Sequence, residues 1–228
     1  RIDLLKEFNE VIVCSKNAYE NIKKRQNNLN ITYIPVPFRL EKVESSDARN
    51  ILKKLEVDQG EYIFTPNGID EKKAFSKIYQ LFKLLKVKRP KLKLVVAGRY
   101  KSKKSTYNES LRNGEMIHFK ELDSKKILSL MMFSKLIVVM PNSIEGMPRT
   151  ILEGISVGAR IMYPFNIYEL EGEEEVTKIY KNNTLEEIAD NAEKIISNDI
   201  KIDNYDLSVN FPKNLRDDYL KTFRNECI

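Results

Sequence analysis

The chain has 228 residues, of which 42% are hydrophobic and 32% charged, proportions that are typical of an ordinary globular protein and exclude a largely disordered one. Its 39 lysines and arginines exceed its 33 aspartates and glutamates by six, which suits an anionic ligand or membrane surface but is weak for a dedicated nucleic-acid-binding protein. Two cysteines at opposite ends define no disulfide framework, and no apolar run reaches the roughly 20 residues that span a bilayer. We therefore expect a cytoplasmic protein, with the inner membrane surface as an alternative location.

Short apolar runs rich in β-branched residues alternate with longer amphipathic runs along most of the chain. The predicted strands, in chain order, cover residues 10–15, 31–36, 61–66, 91–98, 116–122, 135–141 and 159–164. The predicted helices cover 16–26, 46–57, 71–87, 124–134, 148–157 and 184–198, with a last one within 205–228 that begins near Pro212. Continuous apolar strands that alternate with helices predict an α/β fold, a Rossmann-like doubly wound parallel sheet with helices on both faces.

Residues with cap preferences mark several helix ends. Ser46 or Asp47 suits the N-cap of the second helix, and Ser124 that of the helix over 124–134. Thr184, with a glutamate three residues later, forms the capping-box pattern, and Gly158 suits the position just after a helix end.

Three polar loops follow predicted strands and define the expected binding site. In doubly wound folds, ligands bind at the carboxyl ends of the strands. This rule brings the loops over 65–73, 98–105 and 141–149 around one crevice. The stretch over 101–110 is predicted to be a long polar loop whose lysines are either solvated or in contact with a membrane surface.

Two glutamates flank the start of the helix over 148–157. The amides of its first turn lack intrahelical partners, so this helix start can bind a phosphate, and Gly146 lets the backbone come close to it. Glu145 and Glu153, with seven residues between them, could hold sugar hydroxyls on either side. Periodicity alone slightly favours the alternative, in which Glu153 is a solvated helix residue and Glu145 is a partner of the helix dipole.

The segment SIEGMPRTILEGISVGARIM, residues 143–162, resembles the E-x7-E segment of the retaining family-4 glycosyltransferases of the GT-B fold. The positions that fit this pattern are Glu145, Gly146, Pro148, Leu152, Glu153 and Gly158. The preceding strands and loops also resemble that family in the same order, so that the resemblance covers nearly the whole chain. It implies the C-terminal half of a GT-B enzyme.

The resemblance also implies a division into three parts. Residues 1–38 would be the end of the N-terminal domain and the interdomain linker. Residues 39–204 would form the Rossmann-like donor-binding domain, and residues 205–228 a C-terminal helix that returns toward the N-terminal domain.

The resemblance assigns expected roles to single residues. Glu145 would bind hydroxyls of the donor sugar near the reacting carbon, Glu153 would hold the ribose, and Lys72 would neutralise the leaving diphosphate. The other expected donor-binding residues are Gly146, Met147, Pro148, Arg149 and Thr150 at the diphosphate, Phe119 and Leu122 near the base, and Asn67, Gly68 and Arg99 in the neighbouring loops. His118 is expected to be structural rather than catalytic.

The implied reaction transfers a hexosyl group from a UDP or GDP sugar to an acceptor with retention of configuration. The acceptor would be a glycan, a lipid-linked molecule or a protein, in polysaccharide or glycolipid biosynthesis. No cofactor and no metal are expected, and no D-x-D motif is found. Peripheral membrane association is possible in this scheme, and nucleic acid is not an expected partner.

One departure from the family pattern leaves the activity open. Asn67 stands where the family has an arginine that contacts the diphosphate, and Arg99, Arg149 or Lys73 could replace that cation. A non-catalytic module that binds a nucleotide sugar is therefore an alternative, which an assay of donor hydrolysis or transfer would distinguish. A more distant alternative, a nucleic-acid or mononucleotide-binding domain, predicts steep salt dependence and indifference to Glu153→Ala.

Overall fold

The computed structural model describes residues 8, 10–13, 16–34, 42–140, 149–163, 177–178 and 184–197. The strands are β1 Val11–Val13, β2 Ile31–Tyr33, β3 Tyr62–Thr65, β4 Lys93–Ala97, β5 Met116–Phe119, β6 Leu136–Val138, β7 Ile161–Met162 and β8 Thr177–Lys178. The helices are α1 Lys16–Arg25, α2 Ser45–Lys54, α3 Phe75–Lys88, α4 Ser105–Arg112, α5 Ser124–Phe133, α6 Arg149–Ser156 and α7 Leu185–Ile196, with a 3-10 turn at Glu71–Lys73.

Six strands form the main sheet in the order β5-β4-β3-β6-β7-β8, and each of its pairings is parallel. The order runs outward in both directions from β3 and β6, as in a doubly wound sheet, so this prediction is confirmed. Strands β1 and β2 pair in parallel as a separate two-stranded sheet. The proposed division at residues 38 and 204 remains a prediction.

Apolar side chains on both faces of the main sheet are buried. Ile63 of β3 belongs to a cluster with residues of α3, α4 and α7, whereas Tyr62 and Phe64 belong to a second cluster with residues of α2, α5 and α6. The side chains of a strand point alternately to opposite faces, so this division shows that helices cover both faces. Five residues of α3 are almost fully buried: Phe75, Ile78, Leu81, Phe82 and Leu85.

The observed N-caps confirm one prediction and correct two. Thr184 forms the predicted capping box with Glu187 at the start of α7. The residue before α5 is Asp123, whose carboxylate accepts a hydrogen bond from the Lys126 amide at 2.9 Å, so Ser124 is the first helical residue rather than the cap. Helix α2 begins one residue earlier than predicted, after Glu44, so neither Ser46 nor Asp47 caps it.

Two other segments differ from their predictions. The helix predicted over 71–87 is divided, because Ala74 adopts a left-handed backbone with φ 53° between the 3-10 turn and α3. The predicted loop over 101–110 contains α4, which buries Tyr107 and Ser110 although most of its surface is polar. The predicted strand over 116–122 ends at Phe119, and the predicted C-terminal helix lies outside the described residues.

Among the described helices, none combines the length and the apolar character required to cross a membrane.

The close packing of α6 on the sheet depends on Gly154. A Cβ at this position would lie 2.7 Å from Cδ1 of Ile161 and 2.9 Å from Cδ1 of Ile137. Alanine at residue 154 would therefore force helix and sheet apart or displace both isoleucines. Because Gly154 has no side chain, α6 can pack this closely against β6 and β7.

We predict that Gly154→Ala lowers the free energy of unfolding by about 1–3 kcal/mol through overpacking. Ile161→Val removes the nearest of the crowding atoms. The double variant should therefore be more stable than the sum of the two single effects predicts, which urea unfolding of all four proteins would measure. Strict additivity would show that this contact does not limit the approach of α6.

An ion pair joins α7 to the end of α3. The Arg89 guanidinium donates to both carboxylate oxygens of Glu193 at 2.7–3.0 Å, and to the Ser197 hydroxyl at 3.0 Å. The side chains of Arg89 and Glu193 are 31% and 21% exposed. Hydrogen bonds from Arg89 lower the pKa of Glu193 below its ordinary value of 4.5. The ion pair therefore stabilises the fold fully above pH 4.5, the ordinary pKa. This stabilisation is lost as the pH falls through the lowered pKa of Glu193 in the folded protein.

We predict that Glu193→Gln lowers the free energy of unfolding at pH 7 by about 1 kcal/mol, since both groups are partly solvated. The difference from the wild type should shrink as the pH falls below 4.5. Asp190→Asn, at the exposed pair with Lys88, is the matched control and should change stability less. Urea unfolding between pH 7 and pH 3 tests this, and a difference independent of pH would contradict it.

Candidate functional site

Three neighbouring strands, β4, β3 and β6, supply the predicted binding loops. All three run in parallel, so their carboxyl ends meet at one edge of the sheet. The loops over 66–74 and 98–104 are described in full, and α6 follows β6. The described loops after β3 and β4 therefore begin at one edge, as predicted, whereas the placement of the third loop remains a prediction. Residues 141–148, between β6 and α6, lie outside the described residues.

The loops after β3 and β4 are joined through their backbones. The Gly68 amide donates to the Ala97 carbonyl at 2.9 Å, and the Ile69 amide to the Arg99 carbonyl at 2.9 Å. Gly68 has φ +70°, and a Cβ there would lie 2.5 Å from the Arg99 carbonyl oxygen. The close approach therefore requires glycine at position 68. It also places Asn67 and the exposed Arg99 on adjacent backbone segments.

Lys72 lies on the short 3-10 turn after this junction. The Asp70 carboxylate caps the turn by accepting a hydrogen bond from the Lys72 amide at 3.0 Å. The turn ends at Ala74, whose left-handed backbone directs the chain into α3. Lys72 and Lys73 are both exposed at the carboxyl edge of the sheet. This position is compatible with the predicted contact between Lys72 and an anionic ligand.

Two ion pairs connect the turn to the loop and helix after β4. The Lys101 ammonium lies 3.0 Å from the Asp70 carboxylate, and the Lys104 ammonium 3.1 Å from that of Glu71. The Tyr107 hydroxyl donates to the same Glu71 carboxylate at 2.9 Å. We call these five residues the ion-pair clamp. Lys101 and Lys104 are therefore engaged with acidic side chains, which the sequence alone did not reveal.

The clamp carboxylates are held in their charged forms. Hydrogen bonding from Lys101 is the main cause of the lowered pKa of Asp70. Partial burial by itself raises the pKa of Glu71, but hydrogen bonds from Ser76, Lys104 and Tyr107 together outweigh it, and the net shift is downward. Both ion pairs therefore persist at neutral pH.

Helix α6 carries the remaining described residues of the E-x7-E segment. Its inward side, with Ile151, Leu152 and Gly154, is buried against the sheet. The Glu153 side chain is only 27% exposed and lies 3.8 Å from the Arg149 guanidinium, which is 71% exposed. Such partial burial disfavours the interpretation of Glu153 as a freely solvated helix residue.

The other predicted residues of this segment cannot be placed in the same way. Thr150 lies in the first turn of α6, where backbone amides lack intrahelical partners, and is partly buried. Glu145, Gly146, Met147 and Pro148 lie outside the described residues. Their predicted contacts with a donor sugar and diphosphate remain predictions.

The end of β5 forms one side of the crevice. Phe119 and Leu122, predicted to lie near a nucleotide base, are partly buried against the cluster that covers the α2, α5 and α6 face. His118 donates from Nε2 to the Gly98 carbonyl at 2.6 Å, since a carbonyl oxygen only accepts, and its ring meets that of Tyr100 edge-on at 5.5 Å. These contacts support the predicted structural role of His118.

The described part of the chain contains no group of three His, Cys, Asp or Glu residues arranged to hold a metal ion. What the crevice edge does offer is cationic side chains, a helix start and a partly buried carboxylate. Cations and free amides bind phosphates, and carboxylates bind hydroxyl groups. The edge is therefore suited to an anion that carries hydroxyl groups.

Several solved structures share this fold. The pneumococcal O-GlcNAc transferase GtfA, in complex with UDP and GlcNAc, matches with a TM-score of 0.72 and 14% identity, over 98% of this chain and 46% of its own. Anabaena HepE, in complex with UDP and glucose, matches with a TM-score of 0.72 and 16% identity, over 98% of this chain and 65% of its own. A point mutant of S. aureus TarM, in complex with fondaparinux, α-GlcNAc-glycerol and UDP, matches with a TM-score of 0.72 and 14% identity, over 97% of this chain and 45% of its own.

At these identities the likeness concerns the fold alone, and it confirms the predicted Rossmann-like α/β fold. The chain spans between about half and two thirds of the length of these proteins. A comparison with curated protein sequences finds no significant match. The family model described as glycosyl transferases group 1 matches residues 47–214. That match covers most of the chain, which therefore belongs to the glycosyl transferases group 1 family.

Proposed function

We propose that the chain binds a nucleoside diphosphate sugar at the carboxyl edge of its main sheet and contributes to transfer of the sugar. The observation that carries this proposal is that the Lys72 turn, Arg99 and α6 follow three neighbouring parallel strands, β3, β4 and β6, and that Glu153 on α6 is partly buried. Membership in the glycosyl transferases group 1 family supports it. Three structures of similar fold contain UDP, which makes UDP the first nucleotide to test.

Each described residue has a distinct part in this proposal. The Lys72 ammonium and the first-turn amides of α6 neutralise the diphosphate, which gains charge as the glycosidic bond breaks. Glu153 accepts hydrogen bonds from the ribose hydroxyls, and Phe119 and Leu122 border the base. Glu145 would bind the sugar hydroxyls, as the family resemblance implies.

Arg99 is our candidate for the cation that Asn67 does not supply. The Gly68–Arg99 junction brings the backbone of residue 99 against the segment that carries Asn67. A guanidinium attached at residue 99 is therefore anchored close to the position from which the family's arginine acts. Replacement of one cation by another from a neighbouring loop preserves the charge needed at a departing phosphate.

The finer features of the reaction remain proposals that rest on the family resemblance. They are transfer of a hexosyl group with retention of configuration, no requirement for a metal or another cofactor, and an acceptor that is a glycan, a lipid-linked molecule or a protein. A cytoplasmic location with peripheral contact to the inner membrane surface suits a lipid-linked acceptor. Nucleic acid is not a partner in this proposal.

Calorimetric titration with UDP, GDP and ADP tests the site. We predict that UDP binds and that Glu153→Ala, Lys72→Ala and Arg99→Ala each weaken it by about tenfold or more, since each removes a charged hydrogen-bond partner. Glu61→Ala and Lys91→Ala are matched controls, because both residues are exposed and precede β3 and β4 at the opposite edge. Equal losses in the controls, or binding that no crevice substitution weakens, would contradict the site.

The absence of the family's arginine at residue 67 favours a second candidate, a module that binds a nucleotide sugar without reacting it. Release of UDP from the preferred UDP sugar, with and without glycan acceptors, separates the two functions. Tight binding with no release in the longest available form of the protein would support the second candidate. Turnover that Lys72→Ala lowers would support the enzyme.

A further inference from the structure

The turn that carries Lys72 is too short to hold its own conformation. A three-residue 3-10 helix has few internal hydrogen bonds and poor hydrogen-bond geometry. Its only left-handed residue, Ala74, lacks the freedom of glycine and so adopts an unfavourable backbone conformation. Contacts from outside the turn must therefore fix the direction of the Lys72 side chain.

The ion-pair clamp supplies such contacts on the two residues that immediately precede Lys72. Asp70 both caps the turn and pairs with Lys101, so one carboxylate holds the turn to the neighbouring loop. Glu71 is held by Lys104 and by the Tyr107 hydroxyl, and its second oxygen accepts from the Ser76 hydroxyl at 2.6 Å.

The Tyr107 end of the clamp is buried in the core. Tyr107 is 1% exposed, and its ring meets those of Phe75 and Tyr79 at 5.0 Å and 4.9 Å, both edge-on. The parallel bridge between Ile69 and Tyr100 fixes the two loops just before the ion pairs. Glu71 is therefore attached to a hydroxyl that belongs to the core rather than to a mobile surface group.

The clamp contributes little to global stability by itself. The side chains of Lys101 and Lys104 are both 52% exposed, and surface ion pairs at such exposure contribute little to folding. The two clamp carboxylates nevertheless directly precede Lys72 in the chain, and without their lysine partners they would compete with an anionic ligand for its ammonium group. The position of these ion pairs beside Lys72 therefore favours a role in the binding site over a role in the stability of the fold.

We propose that the ion-pair clamp positions Lys72 against the β-phosphate of the bound nucleotide, so that Asp70, Glu71, Lys101, Lys104 and Tyr107 are positioning residues of the donor site. This inference rests on the proposed role of Lys72. It assigns a task to the basic loop after β4, which the sequence left as solvated or in contact with a membrane.

The substitution Glu71→Gln distinguishes two explanations of the clamp, namely that it positions Lys72 or that it only changes the net charge of the site. Glutamine keeps one oxygen that accepts a hydrogen bond from Tyr107, and its NH2 group can donate to the Ser76 hydroxyl, but it loses the ion pair with Lys104. If only the net charge mattered, the freed lysine would strengthen binding of an anion. If the clamp positions Lys72, binding of the β-phosphate weakens although the site has become more positive.

The measured quantity is the ratio of the dissociation constants of UMP and UDP, which isolates the β-phosphate. We expect Glu71→Gln and Lys104→Met to lower this ratio by about threefold to tenfold, the range for a misplaced charged hydrogen bond. Lys103→Met, in the same loop and exposed, is the matched control and should leave it unchanged. Thermal unfolding should show nearly equal stability for all three variants.

A double-mutant cycle completes the test. In a Lys72→Met background, Glu71→Gln should have no further effect on the ratio, because the group it positions is absent. If Lys72→Met lowers the ratio but neither clamp substitution does, or if Glu71→Gln raises it, the clamp proposal is wrong while the donor site stands. If the wild type does not prefer UDP to UMP, the role of Lys72 fails and the clamp proposal fails with it.

Discussion

The carboxyl edge of the main sheet depends on one close backbone contact, between Gly68 after β3 and the segment Gly98–Arg99 after β4. A Cβ on Gly68 would lie 2.5 Å from the Arg99 carbonyl oxygen, and one on Gly98 would lie 3.0 Å from the Gly68 nitrogen. Because neither glycine carries a side chain, the two loops run beside each other beyond the ends of their strands. Without this contact, neither the Lys72 turn nor Arg99 would have a defined place.

A second glycine contact places the opposite side of the crevice. Gly154 lets α6 approach Ile137 and Ile161, and the helix start is thereby set at the same edge as the two loops. Glu153 directly precedes Gly154 on this helix, and its side chain is 27% exposed. The proposed donor site thus combines two rigid elements, a glycine-packed helix and a glycine-joined pair of loops, with charged groups at their ends. Rigid support of this kind lowers the cost of ordering side chains around a charged ligand.

The sheet was predictable from the sequence because its strands are continuous apolar runs, such as LVVA at 94–97, separated by amphipathic helices. The helix start at Thr184 was predictable from its capping box. The break at Ala74 was not, because alanine gives no sequence signal for a left-handed backbone. Helix α4 was missed because only Tyr107 and Ser110 of its eight residues are fully buried.

The candidate site was predictable only where local sequence patterns mark it. Strand ends and the E-x7-E segment are local patterns, so Lys72, Arg99 and Glu153 could be chosen from the sequence. The ion-pair clamp joins Asp70 and Glu71 to residues about 30 positions further along the chain. Such pairs depend on tertiary structure, because charged residues are frequent in this chain and no spacing rule selects the partners. The only available signal was two acidic residues in one crevice loop opposite three lysines in the next.

A crystal structure of the protein with UDP bound would test the central claim most directly. We predict that the β-phosphate lies within hydrogen-bonding distance of the Lys72 ammonium and of the first-turn amides of α6, with the ribose hydroxyls at the Glu153 carboxylate. UDP bound at the amino edge of the sheet, or at the carboxyl edge with its phosphates remote from Lys72 and α6, would contradict the account.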